Sequence, residues 1–287
     1  MKTSRKILVL NPEVSMAEKI RTQRKETMGV AVATDFQFVL EHDKAPQLYF
    51  QGKSNFEYSF VFIRRFMDLK KINGPLYRLF ESLGIPTEVD IRCHHHTNKI
   101  SQLIQANHAG IRIPKSVFVA YALIPDHLDF IESHLQYPLI MKSITNDKGE
   151  GNYRITSRDD LIQIYASAPE DEYVFQECVP NSFDYRFLVL DHKTRIIYKR
   201  IRPDDSSHLN NVAAGATTEL VPLGSQPELE KLSEQITQIL SRTVCGVDLM
   251  PGHDGKIYFL EGNHSPGVKS FNAMDVLLDF IEEKARS

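Results

Sequence analysis

Apolar positions along the chain switch between a continuous run, a period of two and a period of 3.6, and each switch marks an element. KILVL (6–10) is a short continuous run and predicts a buried strand. SMAEKIRTQRKETMG (15–29) reads as a polar helix ended by its glycine. DFQFVLE (35–41), QLYFQG (47–52) and FVFIRR (60–65), rich in aromatic and branched residues, predict strands. GPLYRLFESLGIP (74–86) is helical up to Gly84, with Leu76, Leu79, Phe80 and Leu83 on one face. Strands interleaved with helices predict a small α/β domain with a mainly parallel sheet over residues 1–96.

After DIRCHHH the pattern resets. TNKISQLIQANHAGI (97–111) predicts a helix capped by Thr97, and PDHLDFIESHLQ (125–136) a second helix running into the strand YPLIMKS (137–143). A turn-rich NDKGEGN (146–152) and a returning strand YRIT follow. SRDDLIQIYAS (157–167) is a helix with Ser157 as cap and Asp160 at the capping-box position. EYVFQECVP (172–180) closes this second lobe, residues 97–180, as a strand. The third lobe, 181–287, holds the strands YRFLVLD and TRIIYKRIR, a polar loop and the helix 227–243. GVDLMP and KIYFLEGN then form a hairpin around HDG, before a closing helix over 275–284.

Composition narrows the function classes. A net charge of -3 over 287 residues gives no global attraction to nucleic acid or anionic membrane, so neither is expected as a partner. No apolar run approaches the ~20 residues that span a bilayer, and the four aliphatic residues of KILVL fall short of a secretory signal. Cys93, Cys178 and Cys245 are too scattered for a disulfide framework or a zinc pattern. These features predict a cytoplasmic protein and leave self-association into a homo-oligomer open.

The candidate chemistry gathers at strand ends. Glu261 and Asn263 lie two apart on a strand that Pro266 and Gly267 soon stop, so both side chains share one face. If HDG turns a hairpin, Asp248 faces Glu261 on the neighbouring strand. Two opposed carboxylates repel unless a cation or donor sits between them, and oxygen-only ligands favour magnesium. The plain alternative is a turn cap at Asp248 and a solvated strand end at Glu261. Lys142 ends the apolar strand PLIMK, where a lysine needs an anionic partner, and NDKGEGN beyond it offers backbone NH groups to phosphates or is a simple turn. Around Glu177, VFQECV offers backbone groups and a carboxylate to an adenine edge, or is an edge strand with an exposed acid. Arg200 and Arg202, at alternate positions, either neutralise phosphoryl oxygens or protect a solvated edge. His94, His95 and His96 cannot all point one way and read as a linker.

Taken together, these residues resemble the ATP-grasp superfamily, in its branch of ribosomal-protein glutamate ligases and glutathione synthetases. GVDLM…YFLEGNHSPG is similar to that family's strand pair ending in Glu-x-Asn-x-(small)-Pro-Gly. The resemblance implies an ATP-grasp fold of α/β class, two α+β lobes behind a Rossmann-like N-terminal domain. It implies that Asp248, Glu261 and Asn263 hold two magnesium ions on the phosphates of ATP, with Lys142 and Lys99 reaching those phosphates and KGEGN as their cover. Gln176, Glu177, Cys178 and Val179 would line the adenine and Asp184 would lie near the ribose. Arg202 and Asn211 would lie near the triphosphate and an acyl-phosphate intermediate. NNVAAGA resembles the synthetases' Asn-Leu-Ala-Ala-Gly-Gly, whereas the glutamate ligases carry His-Arg-Gly-Gly where this chain has Ala213-Ala214-Gly215-Ala216. The implied activity is an ATP-dependent carboxylate–amine ligase acting on small-molecule or peptide substrates. A small-molecule kinase on the same scaffold and a nucleotide-binding protein without turnover are the rivals.

Overall fold

The computed structural model of the chain describes residues 6–88, 98–145, 151–202, 216–268 and 271–286. It divides into two compact units, Met1–His95 with Gly267–Ser287, and His96–Pro266.

The first unit contains β1 (Ile7–Leu10), β2 (Met28–Ala31), β3 (Phe36–Val39), β4 (Gln47–Phe50), β5 (Phe60–Ile63) and β6 (Thr87–Glu88). Four of these form a parallel sheet in the order β2-β1-β5-β6, while β3 and β4 make a separate antiparallel hairpin. The continuous apolar runs behave as the physics of a doubly covered sheet requires, since every residue of β1 and β5 is buried. Leu8, Leu10, Val61 and Ile63 pack with Phe80 of α2 (Lys70–Ser82) and with Phe36 and Leu48 of the hairpin.

Two expectations need correction here. The helix expected over 15–29 is only α1 (Val14–Lys19) with a π-helical turn Ile20–Arg24, and Met28–Ala31 is a strand beside β1. Gly29 therefore does not stop a helix. It is a close-approach glycine, because a Cβ there would lie 2.3 Å from Tyr58 Oη. The helix expected from Gly74 starts four residues earlier, so Pro75 lies inside it. The buried Asn73 side chain anchors that early turn, donating to the Phe66 carbonyl at 2.9 Å and accepting from Asn11 Nδ2 at 3.0 Å. The closing helix (Ala273–Arg286, the last in the chain) clusters with this unit rather than with the strands that precede it, and its Asp275 and Asp279 pair with Lys19 and Arg24 at 2.6 Å each.

The second unit holds two antiparallel sheets. Strands β7 (Ser116–Phe118), β8 (Leu139–Ser143), β9 (Asn152–Ile155) and β10 (Tyr173–Glu177) lie in the order β7-β10-β8-β9. Strands β11 (Phe183–Leu190), β12 (Lys193–Ile201), β13 (Thr217–Val221), β14 (Val244–Pro251) and β15 (Ile257–Asn263) lie in the order β13-β12-β11-β14-β15. In sequence α3 (Lys99–His108) precedes these strands and α4 (Leu128–His134), α5 (Arg158–Ser167) and α6 (Pro227–Ile239) run between them, which makes the closing helix α7. Ile131 of α4 and Leu161 of α5 cover Leu139, Met141, Tyr173 and Phe175 of the first sheet. Ala106 of α3 and Ile236 of α6 cover Phe187, Val189, Val247 and Phe259 of the second.

The cap of α3 is Asn98, whose Oδ1 accepts from Ser101 N at 2.8 Å; Thr97, expected in that role, lies outside the described residues. At α5 Ser157 caps as expected, accepting from Asp160 N at 3.1 Å, while the Asp160 carboxylate reaches Thr156 N at 2.7 Å instead of the cap's own N–H.

Candidate active site

The hairpin at the chain's acidic strand end forms in the expected register. Asp248 of β14 pairs with Glu261 of β15, Gly246 pairs with Asn263, and the register slips just after Asp248. A slip there re-aims the strand at the point where its carboxylate leaves the sheet. Asn263 Nδ2 donates to Glu261 Oε1 at 3.0 Å, so the two side chains share one face. Behind β15, Gln102 of α3 accepts from Gly262 N at 2.7 Å, which satisfies an edge-strand donor and ties the helix to the segment between Glu261 and Asn263.

The cation between the two carboxylates in this structure is a guanidinium. Arg186 of β11 faces Asp248 across the sheet and grips it in bidentate fashion, Nε to Oδ1 at 2.7 Å and Nη2 to Oδ2 at 2.6 Å. The same Nη2 lies 3.8 Å from Glu261 Oε1. Arg200 of β12 grips Asp184 of β11 in the same way, at 2.6 and 2.8 Å, and its Nη2 reaches Asp248 Oδ2 at 3.0 Å. Burial alone would push Asp248 up, but Arg186 and Arg200 outweigh it and hold the carboxyl below its ordinary value. For Asp184 the balance falls the other way: burial raises it by more than Arg200 lowers it, and the Asp248 charge adds to the rise. Three carboxylates share two guanidinium groups, and Asp184 is the one left under-compensated.

Lys142 enters from the other sheet. It sits on β8 between Val174 of β10 and Asn152 of β9. Burial pulls its ammonium below the ordinary value; Glu261 is the largest influence opposing that pull, while Lys99 reinforces it. Cys178 and Asp248 act on the same group, so five of the expected site residues share one electrostatic neighbourhood. Lys99 opens α3, and its N–H donates to the Ile144 carbonyl at 3.3 Å, which ties the helix start to the end of β8.

The segment expected to line an adenine continues β10. Gln176 is buried, and its Nε2 donates to Ser116 Oγ at 2.9 Å. The Glu177 carboxylate accepts from Lys115 N at 2.8 Å, so one of its oxygens serves the β7 side of the sheet. Cys178 is a half-buried free thiol. Val179 packs against Gly252, and Pro180 O accepts from His253 N at 2.8 Å, which latches this segment to the turn of the β14–β15 hairpin.

Three of these residues have partners within the sheets. Asp184, expected beside a ribose, is 3% exposed with both oxygens on Arg200. Arg200 is not on a solvated edge, because β13 occupies the edge and leaves Arg200 6% exposed in a buried ion network. The Glu177 carboxylate is engaged with backbone, as above. Arg202 follows β12 directly, whereas Asn211, residues 146–150 of the cover loop and His94–His96 lie outside the described residues. Arg186 and Gln102 were not among the residues expected at the site. The signal for Arg186 was a charge two residues from Asp184 on an apolar strand, a spacing that puts both on one face.

The chemistry of the donor set fits a hard cation that arrives with phosphates. Among the described residues no group of three or more His, Cys, Asp or Glu side chains forms a metal cage. Two carboxylates and one amide oxygen are what magnesium takes from a protein when substrate phosphates complete its shell.

A family model for the RimK-like ATP-grasp domain matches residues 96–282. The chain belongs to that family. Among its relatives, beta-citrylglutamate synthase B of Danio rerio is 28% identical over 155 residues, 51% of this chain and 38% of that protein. A probable alpha-L-glutamate ligase of Hydrogenovibrio crunogenus is 23% identical over 254 residues, 84% of this chain and 82% of that one. The chain thus spans well under half of the synthase and most of the ligase. In fold, the RimK-like chain is similar to the ATP-grasp ligase PsnB complexed with minimal precursor, at a TM-score of 0.70 and 16% identity over 97% of this chain and 100% of that one. It is also similar to D-alanine–D-alanine ligase from Bacillus anthracis complexed with ATP, at 0.69 and 19% over 99% and 98%. The α/β ATP-grasp fold expected from GVDLM…YFLEGN is therefore the fold of this chain. No helix among the described residues is long and apolar enough to cross a membrane.

Proposed function

We propose that this chain is an ATP-dependent carboxylate–amine ligase that works in the cytoplasm. The observation that carries the reading is the pairing of Asp248 with Glu261 beside Asn263, in the electrostatic field of Lys142. A substrate carboxylate takes the γ-phosphoryl group of ATP to give an acyl phosphate and ADP. An amine then attacks the acyl carbon, and phosphate leaves as the amide forms. Asp248, Glu261 and Asn263 would hold magnesium, two ions by the family resemblance, whose charge offsets that of the phosphate oxygens when bound. Lys142 and Lys99 reach phosphate oxygens, Arg202 and Asn211 serve the transferred group, and Gln176 to Val179 present backbone groups to the base. No side-chain nucleophile is required, because positioning and charge neutralisation supply the rate. Glutamate leads the substrate candidates because the relatives' names carry it.

An acyl phosphate is a mixed anhydride that a strong small nucleophile intercepts. Hydroxylamine with ATP, magnesium and the correct carboxylate, but no amine, is expected to give hydroxamate and ADP in equal amounts. A stable phosphate ester in place of the hydroxamate would overturn the ligase reading in favour of a kinase. ATP binding without turnover across a panel of carboxylates and amines would leave a nucleotide-binding protein.

A further inference from the structure

We infer that Arg186 is a positioning residue for the magnesium carboxylates, setting the placement of Asp248 against Glu261, and that the Asp184–Arg200 pair keeps it in register. The inference rests on the metal reading of Asp248 and Glu261 proposed above and adds the groups that aim them.

Arg186, Asp248 and Glu261 are Cα partners in a single row across β11, β14 and β15. One pair along β11, Asp184 and Arg200 are partners across β11 and β12. Charges alternate through the whole set: Asp184, Arg200, Asp248, Arg186, Glu261. The contacts are of two kinds. Arg186 touches both oxygens of Asp248 at hydrogen-bond distance, which fixes the plane of that carboxylate. Towards Glu261 it stands 3.8 Å away, near enough to attract and too far for a hydrogen bond. Arg186 thus locks the Asp248 carboxylate directly, while Glu261 Oε1 is held by Asn263 Nδ2 at 3.0 Å.

The hydrogen bonds also select an oxygen. Asp248 Oδ2 accepts from Arg186 and Arg200, which uses both of its lone pairs, whereas Oδ1 accepts from Arg186 alone and keeps one. Oδ1 is therefore the atom Asp248 offers a cation. Arg200 and Asp184 are 6% and 3% exposed, so this half of the network is anchored in the sheet, while the Arg186 side chain is 23% exposed at its open end. A lysine at 186 would keep the charge and lose the two-point grip.

The test is Mn2+ affinity, read by electron paramagnetic resonance in the presence of a non-hydrolysable ATP analogue, alongside thermal melting without metal. Arg186→Lys is expected to weaken Mn2+ binding by about 10- to 100-fold, the usual effect of removing a group that orients a metal ligand. In turnover the KM for magnesium should rise by more than kcat falls, a split that a merely structural defect would not give. Parental Mn2+ affinity in a folded Arg186→Lys would overturn the inference. Should that variant fail to melt cooperatively, Asp184→Asn is read in the same titration: a smaller loss of affinity supports the chain of contacts, and parental affinity overturns it. If the parent protein itself binds no Mn2+ with the analogue, the metal reading fails and takes the inference with it.

Discussion

Replacing Gly262 by alanine should destabilise the second unit and damage the proposed metal site together, because that glycine lies between Glu261 and Asn263. A Cβ at 262 would lie 2.8 Å from Leu240 Cδ1 and 3.1 Å from Cys245 Sγ. Ordinary carbon–carbon contact is about 3.5–4.0 Å, so Leu240 would have to retreat by roughly 0.7–1.2 Å. It has little room, being 5% exposed in a core shared with the fully buried Cys245 and Val247. Overpacking of this kind costs about 1–3 kcal/mol. For a unit of this size each kcal/mol moves the melting point by roughly 2–4 °C, so a fall of about 2–12 °C is expected. Part of the strain can be relieved by moving β15 outwards, which stretches the 2.7 Å bond from Gly262 N to Gln102 and shifts Glu261 away from Asp248. The assay is calorimetric melting of Gly262→Ala with and without Leu240→Ala, together with kcat/KM at saturating magnesium. Trimming Leu240 is expected to absorb part of the alanine's cost, a coupling of at least about 0.5 kcal/mol. A melting point within a degree of the parent, or strict additivity of the two changes, would refute it.

Asp248→Asn and Glu261→Gln should each lower turnover by about a thousandfold or more, with a smaller loss for Asn263→Ala; near-normal rates in either carboxylate variant at ordinary magnesium would refute the assignment. Lys142→Ala should weaken ATP binding by about 10- to 100-fold, the worth of a charge-assisted hydrogen bond. Lys148→Ala should cost less, and equal affinities for the Lys142 variant and the parent by titration calorimetry would refute that ranking.

How much of this was legible follows from how local each signal is. The β14–β15 hairpin could be read because HDG lies between two apolar runs, and a turn of known length fixes which residues face each other. The turn brings Asp248 to the Glu261 end of β15, but it is the register slip after Asp248, which no turn length encodes, that makes Glu261 its direct partner. β13 was missed because TTELV carries little apolar pattern, its exposed positions being those of an edge strand. Missing it left a solvated edge open as one of two readings of Arg200, which β13 in fact covers. The Arg200 partner of Asp184 was hidden for a related reason, since it is sixteen positions away in sequence but directly opposite in register. β2 was hidden inside a helical pattern because Gly29 is an ordinary helix stop in sequence, and only the Tyr58 ring shows why a glycine is needed there. Buried charge networks depend on strand order, which periodicity does not encode.

If Asp248, Glu261 and Lys142 take magnesium and ATP as proposed, charge balance also sets the order in which the site fills. Asp248 is already shared between Arg186 and Arg200, and Glu261 already feels Lys142 and Arg186. A divalent cation arriving alone would meet carboxylates whose charge is largely met, and would add its own repulsion to that of four basic groups. A triphosphate arriving alone would meet Lys142 and Lys99 but also the carboxylates, and its charge exceeds what two lysines can offset. Only the two together bring as many new attractions as repulsions, with phosphate oxygens completing a shell that two carboxylates and an amide leave open. The depressed pKa of Lys142 belongs to the same balance: desolvation lowers it in the protein alone, and a neighbouring phosphate would raise it again. The proposed site, near neutral in the protein alone, would therefore favour the complex of ion and nucleotide over either one arriving free.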